Sequence, residues 1–160
     1  MSDSTRFSAS TLRHLEESGW YPERKIQIPV AEGMDIFPAA LKVLQEFGNL
    51  NIGERGQGMN VAKDSIEFRI MSYDWKKGNW HFDYVDELAK SIDMRAYPIG
   101  FTSNGGNLVI DEEGRVFMLG DIDFFMGSSI EETIEKIING IKANKIEYKL
   151  VDDKWIIDNI

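Results

Sequence analysis

Two short apolar runs, Leu108-Val109-Ile110 and Val116-Phe117-Met118-Leu119, stand on either side of Asp111-Glu112-Glu113-Gly114. Aspartate suits the opening of such a turn and glycine supplies the positive φ at its close, so the segment predicts a hairpin. A chain patterned in this way contains at least one antiparallel strand pair. Ser65 to Met71 alternates Ile66, Phe68 and Ile70 with Glu67 and Arg69, the period of a half-buried strand. Lys25-Ile26-Gln27-Ile28 alternates likewise before Pro29, and Leu50-Asn51-Ile52 reads as a further short strand. Ala96 to Thr102 is strand-like with Pro98 inside it, which suggests an edge position or a strand start. Ile146 to Leu150 and Lys154 to Ile157 predict a terminal hairpin around Asp152-Asp153.

Helical spacing fills the intervals. Ser8 and Ser10 offer caps for a helix over Ala9–Ser18, with Leu12 and Leu15 on its apolar side and Gly19 as its stop. Asp35 is placed to cap a second helix, with Pro38 in the first turn. Its apolar stripe is Ile36, Phe37, Ala40, Leu41, Leu44 and Phe47, and Gly48 stands where a left-handed residue is wanted. Asp83 to Ile92 presents Val85, Leu88, Ala89 and Ile92 on one side. Ser128 and Ser129 open the last helix, in which Ser129-x-x-Glu132 is a capping box; Ile130, Ile134, Ile137, Ile138 and Ile141 line its buried face and Gly140 ends it. Glu131, Glu132 and Glu135 then sit near a helix N-terminus, where negative charge is favoured. With 160 residues and no repeat, low-complexity tract or linker, one domain is expected.

Charge and composition exclude several classes of function. The chain has 18 basic and 27 acidic side chains, a net −9. Residues 1–80 carry 10 and 11 of them, and residues 81–160 carry 8 and 16. Asp111 to Glu135 is the densest stretch, eight acids against Arg115 alone. Nucleic acid and anionic membrane are excluded as partners, because phosphates need neutralising lysines and arginines. A basic protein partner is permitted, although an acidic surface also serves simple solubility. Cysteine is absent, which removes disulfides, thiolate metal sites and a cysteine nucleophile. Residues 1–6 are polar and no apolar run approaches a membrane span, so the cytoplasm is the expected compartment.

No catalytic constellation emerges. Gly53-Glu54-Arg55-Gly56-Gln57-Gly58 lacks the Gly-Lys-Ser/Thr ending of a phosphate loop and reads as a mobile surface loop. Asp121-Ile122-Asp123 is like the acidic pairs that hold magnesium or manganese in sugar transferases, yet no nucleotide-binding half accompanies it; an enzyme using this cluster with a divalent metal is one reading. His14 and His81 have no nucleophile beside them, and no Gly-x-Ser-x-Gly elbow is present. Trp20, Trp75, Trp80 and Trp155 are either core residues or binding anchors. Asp121-Ile122-Asp123-Phe124-Phe125-Met126 has the composition of an aromatic anchor with a charged rim.

The order of these pieces resembles one family. Gly19-Trp20-Tyr21-Pro22-Glu23-Arg24 is similar to the opening "GW-x-P-x-R" of the third subfamily of SUKH-superfamily immunity proteins. Leu44-Gln45-Glu46-Phe47-Gly48-Asn49-Leu50 resembles its "FL-x-x-FG-x-L" segment, and Tyr97-Pro98-Ile99-Gly100 its "P-x-G" strand. Leu108 to Phe117 matches "L-x-I-D-x-x-G-x-V-Y/F", with Phe117 where tyrosine is frequent. Met126-Gly127-Ser128-Ser129 through Asn139-Gly140 matches the final helix, with Thr133 where alanine is common. The matches cover residues 7–141; residues 142–160 fall outside and are expected to form a C-terminal extension, a hairpin packed on the same domain.

The resemblance implies an α+β fold, a largely antiparallel twisted sheet with helices packed against it. It also implies an antitoxin that binds and neutralises a cognate toxin domain, commonly a nuclease, without cofactor, metal or catalytic residue. Gly19, Trp20, Phe47, Gly48, Pro98, Gly100, Asp111, Gly114 and Gly127 are expected to hold the fold, Gly19, Gly48, Gly114 and Gly127 through turn or cap geometry and Trp20 and Phe47 in the core. The expected toxin contacts are Glu112, Glu113, Asp121, Asp123, Phe124 and Phe125, an acidic surface facing a basic groove. The alternative is a regulatory interaction module of the same fold with no toxin partner. Oligomeric state is left open.

Overall fold

The computed structural model describes residues 6–29, 36–70 and 83–160. Asp35, Trp75, Trp80 and His81, each singled out in the sequence, lie outside the described residues. The elements in chain order are helix α1 (Ala9–Glu17), helix α2 (Pro38–Phe47), strands β1 (Asn51–Ile52) and β2 (Ile66–Phe68), helix α3 (Asp83–Ile92), strands β3 (Ala96–Thr102), β4 (Asn107–Asp111), β5 (Val116–Leu119) and β6 (Phe124–Gly127), helix α4 (Ile130–Asn139), and strands β7 (Asn144–Lys145), β8 (Tyr148–Val151) and β9 (Lys154–Ile157). Among the described residues β1 to β7 form one sheet in sequence order, every neighbour antiparallel, while β8 and β9 pair separately. The architecture is the expected α+β.

Why the strands are apolar on both sides follows from what covers them. Leu108 and Ile110 of β4 point into a large core shared with α1, α2 and α4, whereas Val109 between them points to a second core with α3. β5 divides likewise, Val116 into the first core and Phe117 and Leu119 into the second. A strand buried on both faces reads as a continuous apolar run, because successive side chains alternate between faces.

Local chemistry sets most boundaries. The Ser8 hydroxyl accepts from Thr11 N at the start of α1, and Ser129 does the same for Glu132 N at the start of α4. Gly140 closes α4 in the left-handed conformation, φ 67°. In the β4–β5 turn Gly114 has φ 86°, and its N–H donates to Asp111 O at 3.0 Å. Asp111 organises that turn: Oδ1 accepts from Glu113 N and Arg115 N, both at 2.9 Å, and Oδ2 from Arg115 Nε at 2.6 Å.

Four expectations change. Lys25–Ile28 joins no strand; Ile26 N donates instead to Gln45 O of α2 at 2.9 Å, so helix rather than sheet takes up the alternating segment. Helix α2 begins after Phe37, with Pro38 in its first turn and no side-chain cap hydrogen bond. Gly48 is not left-handed (φ −52°); Asn49 takes that role at φ 67°, while a Cβ on Gly48 would stand 2.4 Å from Leu44 O. Pro98 lies in an interior strand, tolerated because the β3–β4 register shifts between Pro98 and Gly100. There the missing side chain of Gly100 matters, since a Cβ would meet Glu67 O of β2 at 2.3 Å.

The loop after β1 is exposed but tied down. Met59 N donates to Asn139 O, and Asn60 N and Val61 N to Gly140 O, each at 3.0 Å. These bonds satisfy carbonyls that the end of α4 would otherwise leave without partners.

Candidate functional site

The acids after residue 110 have separate occupations. Asp111 is fully buried under Arg115. Glu112 takes the backbone N and the guanidinium of Arg95 (2.9 and 3.2 Å), and Glu113 lies 3.7 Å from Arg115. Glu131 binds Arg6 at 2.8 Å, and Arg6 also grips Glu46, which in turn accepts from the buried Trp20 indole at 3.1 Å. Glu135 accepts from Ser8 N at 2.6 Å. Arg24 donates to Glu46 O and Gly48 O at the end of α2 (2.6 and 2.9 Å), which gives the arginine of the Gly-Trp motif a capping role.

Glu132 reaches back to Ser128 N (3.0 Å) and forward to Lys136 (3.1 Å). The Ser128 N–H, more than Lys136, holds its carboxyl below its ordinary value of 4.5. A carboxyl lowered in the folded chain contributes stability above its unfolded pKa and loses that contribution as pH falls through the folded one. Glu132→Gln is therefore expected to shrink the acid-induced loss of stability below about pH 4.5, read as denaturation midpoints between pH 3 and 7.

The six expected contact residues are not brought together. Glu112 and Glu113 sit in the β4–β5 turn and Asp121 and Asp123 in the β5–β6 turn, at opposite ends of β5, a strand roughly 13 Å long at strand rise. Phe124 is half-buried against the large core and Phe125 against the second, as adjacent residues on a strand must be. The exposed apolar residue of that turn is Ile122. Asp123 braces the turn, accepting from Gly120 N at 3.0 Å and from the Tyr148 hydroxyl at 2.7 Å. Asp121 is exposed and accepts no hydrogen bond from the described residues.

A different surface gathers around α3 and the terminal hairpin. Helical spacing buries Val85 and Leu88 of α3 and leaves Tyr84, Glu87 and Ser91 along one groove wall. The opposite wall is β8–β9, turned at Asp152 and Asp153 with φ 50° and 62°. That turn pairs Tyr148 with Ile157 and Leu150 with Trp155, so these four share one face. Ile157 packs into the second core, whereas Leu150 is 55 % exposed and Trp155 59 %. Between the walls, floored by Leu119 and Gly120, runs a groove of about 540 Å³. Glu87 and Asp123 line it, with no lysine or arginine among the described lining residues. Tyr84 lines the groove, and burial pushes its hydroxyl up to about 12.

Sequence reasoning did not single out Glu87, Leu150 or the hairpin face as a site. The available signal was the alternation Tyr148-Lys149-Leu150 and Trp155-Ile156-Ile157 about the Asp-Asp turn, which puts the aromatics on one side. Among the described residues no three His, Cys, Asp or Glu side chains are placed to share a metal ion, and no helix is long and apolar enough to cross a membrane.

A helix-covered antiparallel meander whose acids mostly brace turns and helix ends defines an α+β protein, with an apolar groove edged by Glu87 and Asp123 on its surface. The sequence model of the SUKH-3 immunity protein family matches residues 7–140, and the chain belongs to that family. Neither the curated proteins nor the solved structures give a match. Membership in an immunity family implies a toxin as the class of partner.

Proposed function

We propose that this protein is a cytoplasmic antitoxin that binds and neutralises a cognate toxin domain by non-covalent association, performing no catalysis of its own. The family match carries the reading. Charge supports its finer part: with net −9, of which −8 falls after residue 80, the protein suits a basic nuclease whose substrate groove it covers, and repels nucleic acid and anionic lipid. Of the acids named from sequence, Asp121 has the freest carboxylate and is the contact favoured here; Glu112 and Glu113, engaged by arginines, serve the fold first.

Co-expression with a candidate toxin domain, sought first among the products of neighbouring genes, is the direct test. Growth is expected to be rescued by this protein, and the purified pair to associate several-fold faster at low salt than at physiological salt. Asp121→Lys is expected to slow association without changing the denaturation midpoint. Rescue with no salt dependence and no effect of Asp121→Lys overturns the acidic-surface part; no rescue and no binding overturns the toxin reading.

A further inference from the structure

We propose that the groove between α3 and the β8–β9 hairpin is the specificity anchor of this protein, and that it takes an arginine-bearing segment of the toxin. The inference rests on the toxin reading above. Its first support is that the hairpin is well built yet leaves its best apolar surface uncovered. Its base is fastened by Tyr148 to Asp123, by Ile146 N to Asp123 O (2.8 Å), and by Asn159, which accepts from Glu147 N (2.8 Å) and donates to Lys145 O (2.7 Å). Toward the tip, Leu150 and Trp155 form a cross-strand pair that stays more than half exposed, with Trp155 lining the groove. Contiguous exposed apolar surface of this kind marks a docking site, and tryptophan is the residue that most often dominates one.

The second support is charge. Glu87 and Asp123 line the groove, and the hairpin's own lysines are directed elsewhere: Lys149 and Lys154 fall on the other hairpin face, Lys149 paired with Asp158 at 2.7 Å. Asp123 is held by Gly120 N and the Tyr148 hydroxyl, which leaves Glu87 as the groove's free carboxylate among the described residues. An apolar wall opposite that carboxylate fits arginine, whose planar guanidinium stacks on an indole and forks onto a carboxylate while its stem packs on apolar surface. A second copy of this chain is disfavoured as the occupant because two bodies of net −9 repel. The third support is position. The family match ends at residue 140 and the hairpin begins at Tyr148, so the groove combines a shared frame with a segment outside it. That is where recognition of one toxin rather than another can be set without disturbing the fold.

Calorimetric titration with the toxin domain that the co-expression test identifies tests this, using wild type, Trp155→Ala, Glu87→Lys, and Glu54→Lys in the loop after β1 as a control. Trp155→Ala and Glu87→Lys are each expected to weaken binding by about 30-fold or more, the effect of losing a hot spot, while Glu54→Lys stays within about twofold. Both side chains are exposed, so unchanged circular dichroism is expected. Wild-type affinity in both groove variants overturns the groove and leaves the toxin reading standing. Loss in Trp155→Ala alone overturns the arginine part. A toxin that wild type does not bind overturns both. Sedimentation of the protein alone completes the test: a dimer dissolved by Trp155→Ala makes a second copy the occupant and overturns the proposal.

Discussion

Asp111→Ala is expected to destabilise the protein by about 3–5 kcal/mol, the range for removing one partner of a buried charge pair. The side chain is fully buried and receives two backbone N–H groups and the Arg115 guanidinium. Its loss leaves two backbone donors and the guanidinium without their acceptor at the end of the central hairpin. Asp111→Asn separates geometry from charge. The amide oxygen can still accept from Glu113 N and Arg115 N, so about half the loss is expected, with Glu113 moving onto Arg115 as partial compensation. Urea midpoints at constant m-value check both; an Ala variant within about 1 kcal/mol of wild type would sink the argument.

Phe47→Ala is expected to cost about 3–5 kcal/mol, comparable to much of the stability of an ordinary domain. Phe47 has no exposed surface, stacks on Phe68 of β2 with ring centroids 5.4 Å apart, and meets Phe7 edge-on at 6.4 Å. It ties α2 to the sheet and to the chain before α1, so truncation opens a void among rings held on separate elements. Phe47→Leu keeps most of the volume and is expected to cost about 1–2 kcal/mol. Equal effects of the two substitutions, read from the same denaturation curves, would contradict a cavity origin.

The expected contact surface fared differently from the fold because the two depend on different ranges of interaction. Asp83–Ile92 was readable end to end from its apolar stripe, and the β4–β5 hairpin from one Asp-x-x-Gly turn. In the same turn the sequence shows Glu112 and Glu113 as free acids, but Arg95 and Arg115 claim them in the folded chain. Phe124 and Phe125 look like a paired anchor in one dimension; a strand sends them to opposite faces, and this sheet is covered on both. The groove beside Trp155 needed α3 and a hairpin more than fifty residues later to be set side by side.

By itself, then, the sequence determined several boundaries, though not those of α2: Ser8 and Ser129 as caps, Gly140 and Gly114 as left-handed stops, and the two-residue alternation of β2. Those depend on hydrogen bonds and side-chain periods within a few positions. Only the tertiary structure decided which charges are available. Arg6 reaches Glu131 across 125 positions and Tyr148 reaches Asp123 across 25, and a carboxylate's freedom is set by whatever cation or N–H the fold carries to it. The net −9 therefore bounds the partner, while the face that meets it is a property of the folded molecule.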